Sequence, residues 1–271
     1  MSLPATKTLL TRLERGVLHV TFNRPEARNA MSPEMLADIE ATFAAIADDV
    51  GIRAVVLRGA GGHFCAGADL KGMMGGGLKP PAPGEQDPIT AMNRGFGTML
   101  RKVQHAPQVV VAVCEGAVLG GGFGLACVSD ICIAHTEAKF GLPETTRGLP
   151  PAQIAPFVVE RVGLTQARRL ALTGAQFRGG DAVRYGIAHE SVASAEELDA
   201  RLSAALEQVL LCAPVANRIT KAIILSAGKQ DMDLVLDQAA AQFAACVRGP
   251  EAPEGIAAFM QKRKPKWASG D

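Results

Sequence analysis

Residues 17–23 alternate strictly, with Leu18, Val20 and Phe22 on one side and His19 and Thr21 on the other. That is the period-two pattern of a strand with one buried face, and Arg24-Pro25 ends it. From Ser32 the period changes: Leu36, Ile39, Phe43 and Ile46 recur at helical spacing. Ser32 is placed as the N-cap, Pro33 as the first helical residue and Glu34 as an acid in the first turn. Short apolar runs at 54–57, 109–113 and 130–134 predict buried strands, and 89–104 and 123–129 predict helices. Beyond residue 144 the pattern is helical. Gly174 closes a helix at 165–172 and Gly186 one at 181–185. Ser194-Ala195-Glu196-Glu197 reads as a capping box ahead of Leu198, Leu202, Leu206 and Leu210. Helices at about 214–226 and 231–247 follow. The chain thus predicts β/α alternation first and helices alone afterwards.

Composition narrows the function classes. The 271 residues suit one large domain or a domain with a smaller appendage. With 48% hydrophobic residues but only 4% aromatic, the core must be built from Ala, Val, Leu and Ile. Net charge is +1 and mixed along the chain, so nucleic acid is not an expected partner. The one basic cluster is the tail Lys262-Arg263-Lys264-Pro265-Lys266. Six cysteines include no C-x-x-C pair, which predicts reduced thiols, no metal site and a cytoplasmic protein. A polar N-terminus gives no sign of a secretory leader, and charges and glycines interrupt the longest apolar region, arguing against a membrane span.

Candidate chemistry lies in two glycine loops and one acid. Gly120-Gly121-Gly122 stands between a strand and a helix, where unpaired amides and the helix dipole suit a negatively charged oxygen. The third glycine of a dinucleotide-binding turn is missing, because Leu125 holds its place. Upstream, Gly59 to Lys71 forms a similar loop, in which Gly67 and Ala68 lack bulk and Asp69 is expected to cap a helix starting near Leu70. His63 and Cys65, two residues apart, are read as structural, not as a nucleophilic pair. Residues 72–88 are dense in Gly and Pro and suggest a mobile loop or lid. Glu144, in Phe140-Gly141-Leu142-Pro143-Glu144, is a carboxylate among apolar neighbours, where desolvation should raise its pKa and suit proton transfer.

Together these pieces resemble the enoyl-CoA hydratase/isomerase, or crotonase, superfamily over nearly the whole length. The matching segments are Asn23-Arg24-Pro25 with Asn29-Ala30, FCAGADLK at 64–71, and Gly116 to Gly122 followed by Asp130. Phe140-Gly141 with Pro143-Glu144, and Glu254 to Phe259 with Lys262-Arg263-Lys264, complete the set. The resemblance implies an α/β fold, a spiral of repeated β-β-α turns with a C-terminal helical region that builds homotrimers or hexamers. It divides the chain into a core at 1–200 and that helical region at 201–271. It implies an acyl-CoA thioester as substrate, with coenzyme A as part of it and no separate cofactor. The amides of Ala68 and Gly121 would hold the thioester oxygen, and Glu144 would move the proton. Ala66, Ala68, Asp69, Leu70 and Lys71 would line the coenzyme A site, with Lys71 and the basic tail near its phosphates. Asp130 and Glu115 are taken as structural.

One position departs from the straight-chain hydratases. Their first glutamate, on the helix after the glycines, is Gly124 here. Three readings follow: a hydratase using Glu144 alone, with Gly124 leaving room for a branched chain; a Δ3,Δ2-enoyl-CoA isomerase; or a non-catalytic acyl-CoA-binding subunit. The first is favoured, because residues 120–129 and 142–159 resemble the isohexenylglutaconyl-CoA and methylglutaconyl-CoA hydratase branch. Arg147 is a candidate, though more a surface residue, for a substrate carboxylate.

Overall fold

A computed structural model describes residues 3–69, 81–82 and 84–268. Among them nine strands are defined: β1 (Leu9–Glu14), β2 (Val17–Phe22), β3 (Ala54–Gly59), β4 (Val109–Cys114), β5 (Ala117–Leu119), β6 (Ile131–His135), β7 (Lys139–Gly141), β8 (Gln176–Arg178) and β9 (Glu190–Val192). The larger sheet has the order β1-β2-β3-β4-β6-β9 and is parallel except for the β1–β2 hairpin. A small sheet, β5-β7-β8, stands beside it. The helices are α1 (Pro33–Ile46), α2 (Pro88–Gln104), α3 (Gly121–Val128), α4 (Ala155–Thr173), α5 (Gly179–Arg184), α6 (Ala195–Leu211), α7 (Pro214–Ser226), α8 (Met232–Arg248) and α9 (Glu251–Met260).

Strand alternation sorts the buried residues into two cores. Leu18, Val20, Phe22, Val55, Leu57 and Val110 face α1, whose stripe Met35, Ile39, Phe43 and Ile46 is sealed from solvent. The opposite face, Ala54, Val56, Val111, Val113 and Ile133, packs on Leu198, Leu202 and Val209 of α6. Burying each large apolar side chain stabilises the fold by roughly 1.5–3 kcal/mol, so α1 and α6 are held mainly by these stripes. The expected boundary at residue 200 therefore falls inside α6, a helix of the core. Ser32 caps α1 and Ser194 caps α6 through their side-chain oxygens, as their spacing predicts.

Several elements were not predicted. β1, β5, β7, β8, β9 and α9 carry too few residues or too irregular a pattern for either period. α4 starts ten residues before the predicted helix and is broken at Gly163, whose φ of 75° interrupts the helix. Gly174 closes it in the left-handed conformation, as expected.

Two ties fasten the C-terminal helices. Lys221 of α7 donates to Asp130 Oδ2 at 2.6 Å and to the Gln108 carbonyl at 2.9 Å. Asp130 also accepts from the Val110 amide at 2.7 Å, which bears out its structural reading. Arg53 donates to the Leu210 and Trp267 carbonyls at 2.8 and 2.7 Å, closing the end of α6. Glu115 is likewise structural, paired with Arg58 at 2.8 Å. Among the described residues no single helix is long and apolar enough to cross a membrane, and no cluster of His, Cys, Asp or Glu could hold a metal.

Candidate active site

The upstream glycine loop is anchored by Asn29. Its buried side chain accepts from the Arg24 amide at 2.8 Å and donates to the Ala60 and His63 carbonyls at 2.9 and 2.6 Å. Arg24 then reaches across to the Ala30 carbonyl and to Asp69 Oδ2 at 2.9 Å. This explains the Asn23-Arg24-Pro25 and Asn29-Ala30 segments as scaffolding for residues 66–69. Asp69 thus spends a carboxylate oxygen on Arg24; the helix it was expected to cap, with Leu70 and Lys71, lies outside the described residues. So does most of the candidate lid at 72–88.

Ala68 pairs with Met31 as a short parallel bridge: Met31 donates to the Gly67 carbonyl at 2.8 Å, and Asp69 donates to the Met31 carbonyl at 3.0 Å. Extended backbone alternates its polar groups, so the Ala68 amide points away from Met31. Ala68 is exposed, and its amide donates to none of the described residues. Ala66 is pinned by its own amide to the Arg28 carbonyl at 3.0 Å.

The second loop abuts the first. Cys65 accepts from Leu119 at 2.9 Å and donates to Ala117 at 2.8 Å, binding the loop to β5. Gly120 then turns the chain into α3 with φ 51° and ψ −115°, a conformation that only glycine adopts readily. A Cβ there would stand 3.4 Å from Gly67 Cα and 2.6 Å from Glu144 Oε1. The two loops therefore touch backbone to backbone, and the glutamate lies against their junction. Gly121, the first residue of α3, is buried, and its amide likewise has no acceptor among the described residues. α3 starts two residues earlier than its apolar pattern predicts.

Glu144 hangs from a 3-10 turn, Pro143–Arg147, held by Leu149 donating to the Glu144 carbonyl at 3.1 Å and Thr146 to the Pro143 carbonyl at 2.7 Å. Beneath it, Phe140 stacks on Phe177 at 5.9 Å and meets Phe123 of α3 edge-on at 6.4 Å, locking β7 and β8 to α3. The Oε2 atom of Glu144 is buried with no hydrogen-bond partner. Burial raises its pKa, while its own backbone amide and the Arg147 charge pull the other way. Arg147 itself is exposed.

Gly124 corrects an expectation. Its missing side chain does not leave open space, because a Cβ would meet Leu100 at 3.2 Å and Ile154 at 3.4 Å. Over Gly121, Met31 and Phe96 occupy the corresponding place. The sequence reading missed these wall residues; their only signal was apolar character on distant elements.

The structural readings of His63 and Cys65 hold. His63 Nδ1 accepts from the Ala117 amide at 3.1 Å. Cys65 is fully buried, its thiol pushed up to about 12 by desolvation, and so is no nucleophile. In the basic tail, Arg263 is paired with Glu254 at 2.7 Å.

Two backbone amides without acceptors among the described residues, beside a half-buried carboxylate with one buried, unpartnered oxygen, define a class: a site built to stabilise an oxyanion and move a proton next to it. Comparison with known proteins gives the family. Residues 12–270 match the enoyl-CoA hydratase/isomerase family, and the chain belongs to it. The structure of Pseudomonas aeruginosa AtuE is 54% identical, superposes with a TM-score of 0.93, and matches over 97% of this chain and 100% of that one. Human "Enoyl-CoA hydratase domain-containing protein 2, mitochondrial" is 32% identical over 94% of this chain and 86% of its own. The "Short-chain-enoyl-CoA hydratase" of Clostridium acetobutylicum is 30% identical over 93% and 94%.

Proposed function

We propose that this protein is an enoyl-CoA hydratase that adds water across the 2,3 double bond of an acyl-CoA thioester. The observation that carries this is the half-buried Glu144 carboxylate, its Oε2 buried without a hydrogen-bond partner among the described residues, pressed against the junction of two loops whose Ala68 and Gly121 amides have no acceptor among those residues. In this reading the Ala68 and Gly121 amides bind the thioester oxygen as it becomes an enolate oxygen. They bind the transition state more tightly than the ground state, and one such donor is typically worth about 2.7–4 kcal/mol. Water bonds to C3, Glu144 takes its proton, and a proton passes from Glu144 to C2. Because both protonation states of Glu144 are used in turn, a pKa raised towards neutrality favours the cycle.

The acyl group we assign is branched or glutaconyl-type, on the likeness of residues 120–129 and 142–159. Space for the branch must lie away from Gly124, which Leu100 and Ile154 cover. A second reading, Δ3,Δ2-enoyl-CoA isomerisation, is favoured by the same covering, since one carboxylate suffices for that proton transfer. Loss of conjugation on adding protein to 2-enoyl-CoA esters, linear and β-branched, tests hydration; appearance of conjugation from a 3-enoyl-CoA tests isomerisation. Tight CoA-ester binding with neither change would leave only a binding subunit.

Self-association as a trimer or hexamer belongs to the same proposal. The last helices expose Phe243, Phe259 and Met260 at 72, 85 and 77%, large apolar side chains that water does not favour.

A further inference from the structure

Helix α2 lies across α3. Phe96 stands over Gly121 and Leu100 over Gly124, each within 3.2 Å of where a Cβ would be. Between them Gly97 presents no side chain, and Gln153 fills the notch. A Cβ on Gly97 would collide with Gln153 Oε1 and lie 3.0 Å from its Cδ. Ile154, the next residue, covers Gly124. Met31, Phe96, Leu100 and Ile154 are all apolar, so Gln153 brings the polar group to this wall. It is half-buried, and its amide makes no hydrogen bond with a described residue.

Hydration needs a water held at C3 while its proton is removed. Glu144 can take the proton, but position 124 offers nothing to hold the oxygen. We propose that Gln153 is that group, its Oε1 accepting a hydrogen bond from the attacking water. The water oxygen bonds C3 as the C2=C3 π pair moves onto C2 and the thioester oxygen. The water's proton goes to Glu144, which supplies one to C2, and Gln153 neither gains nor loses a proton. The assignment rests on the hydratase reading.

Two reactions of the same purified protein test it: hydration of a 2-enoyl-CoA, and exchange of the C2 hydrogens of a saturated acyl-CoA in D2O. Exchange needs Glu144 and the two amides but no held water. Gln153→Leu should lower the hydration kcat about tenfold or more, the scale of one lost hydrogen bond. KM and exchange should stay near wild type, and Gln153→Glu should recover part of the hydration. Gly97→Ala, which displaces the amide without removing it, should give the same selective loss. Undiminished hydration in Gln153→Leu, or equal loss of both reactions, overturns the assignment alone. A wild-type protein that exchanges but does not hydrate overturns the hydratase reading and this assignment with it.

Discussion

Glu144 carries opposite consequences for activity and stability. Burial raises its pKa, and hydration begins with the carboxylate form. The rate should therefore fall as pH drops through a value above the ordinary glutamate pKa of about 4.3. A pH profile of kcat/KM checks this, and Glu144→Gln should cut turnover by roughly 10²–10⁴-fold while leaving CoA-ester binding intact. For stability, a folded pKa above the unfolded one means that the contribution of Glu144 is present below the unfolded pKa and lost as pH rises through the folded pKa. Glu144→Gln should accordingly melt above wild type at pH 7, and the gap should close near pH 4. Asn29 shows the reverse case, a buried polar side chain fully satisfied. Asn29→Ala should cost about 1–3 kcal/mol for each partner left unpaired, and should slow catalysis by loosening residues 66–69; denaturant melts and kcat report the two effects.

Among the elements, those with a clear period were legible. β2, α1 and α6 show strict stripes because each packs one face against a large core. Three-residue strands such as β5 and β7 show none, since their pairing comes from register with remote segments. The tie between α7 and the sheet is similar: nothing near Lys221 in the sequence names Asp130 as its partner. Lys221 is only 10% exposed, so Asp130→Ala should strand a buried charge. One-sided removal of a buried pair costs about 3–5 kcal/mol, and the low end is expected because Asp130 is 27% exposed. Replacing both residues by apolar ones should cost less, and a double-mutant cycle of melts would show it.

The whole molecule leaves a large apolar surface on its last helices. If those helices pack against other copies, Phe259→Asp should release monomers without unfolding the sheet. Sedimentation and circular dichroism measure the two outcomes. Of this surface only α8, which carries Phe243, was legible as a helix; that Phe243, Phe259 and Met260 stay outside the core was decided by the packing of α8 and α9.

The amino-acid sequence alone determined the α/β alternation, the two glycine loops and the placing of Glu144 among apolar neighbours. Periodicity, glycine geometry and local apolar character act over a few residues, so they can be read without a fold. Tertiary structure decided that the loops touch, that Arg24 and Asn29 hold one of them, and that Leu100 and Ile154 close the space beside Gly124. Those contacts join segments up to about fifty residues apart, and only packing sets which distant side chain fills the volume a glycine leaves.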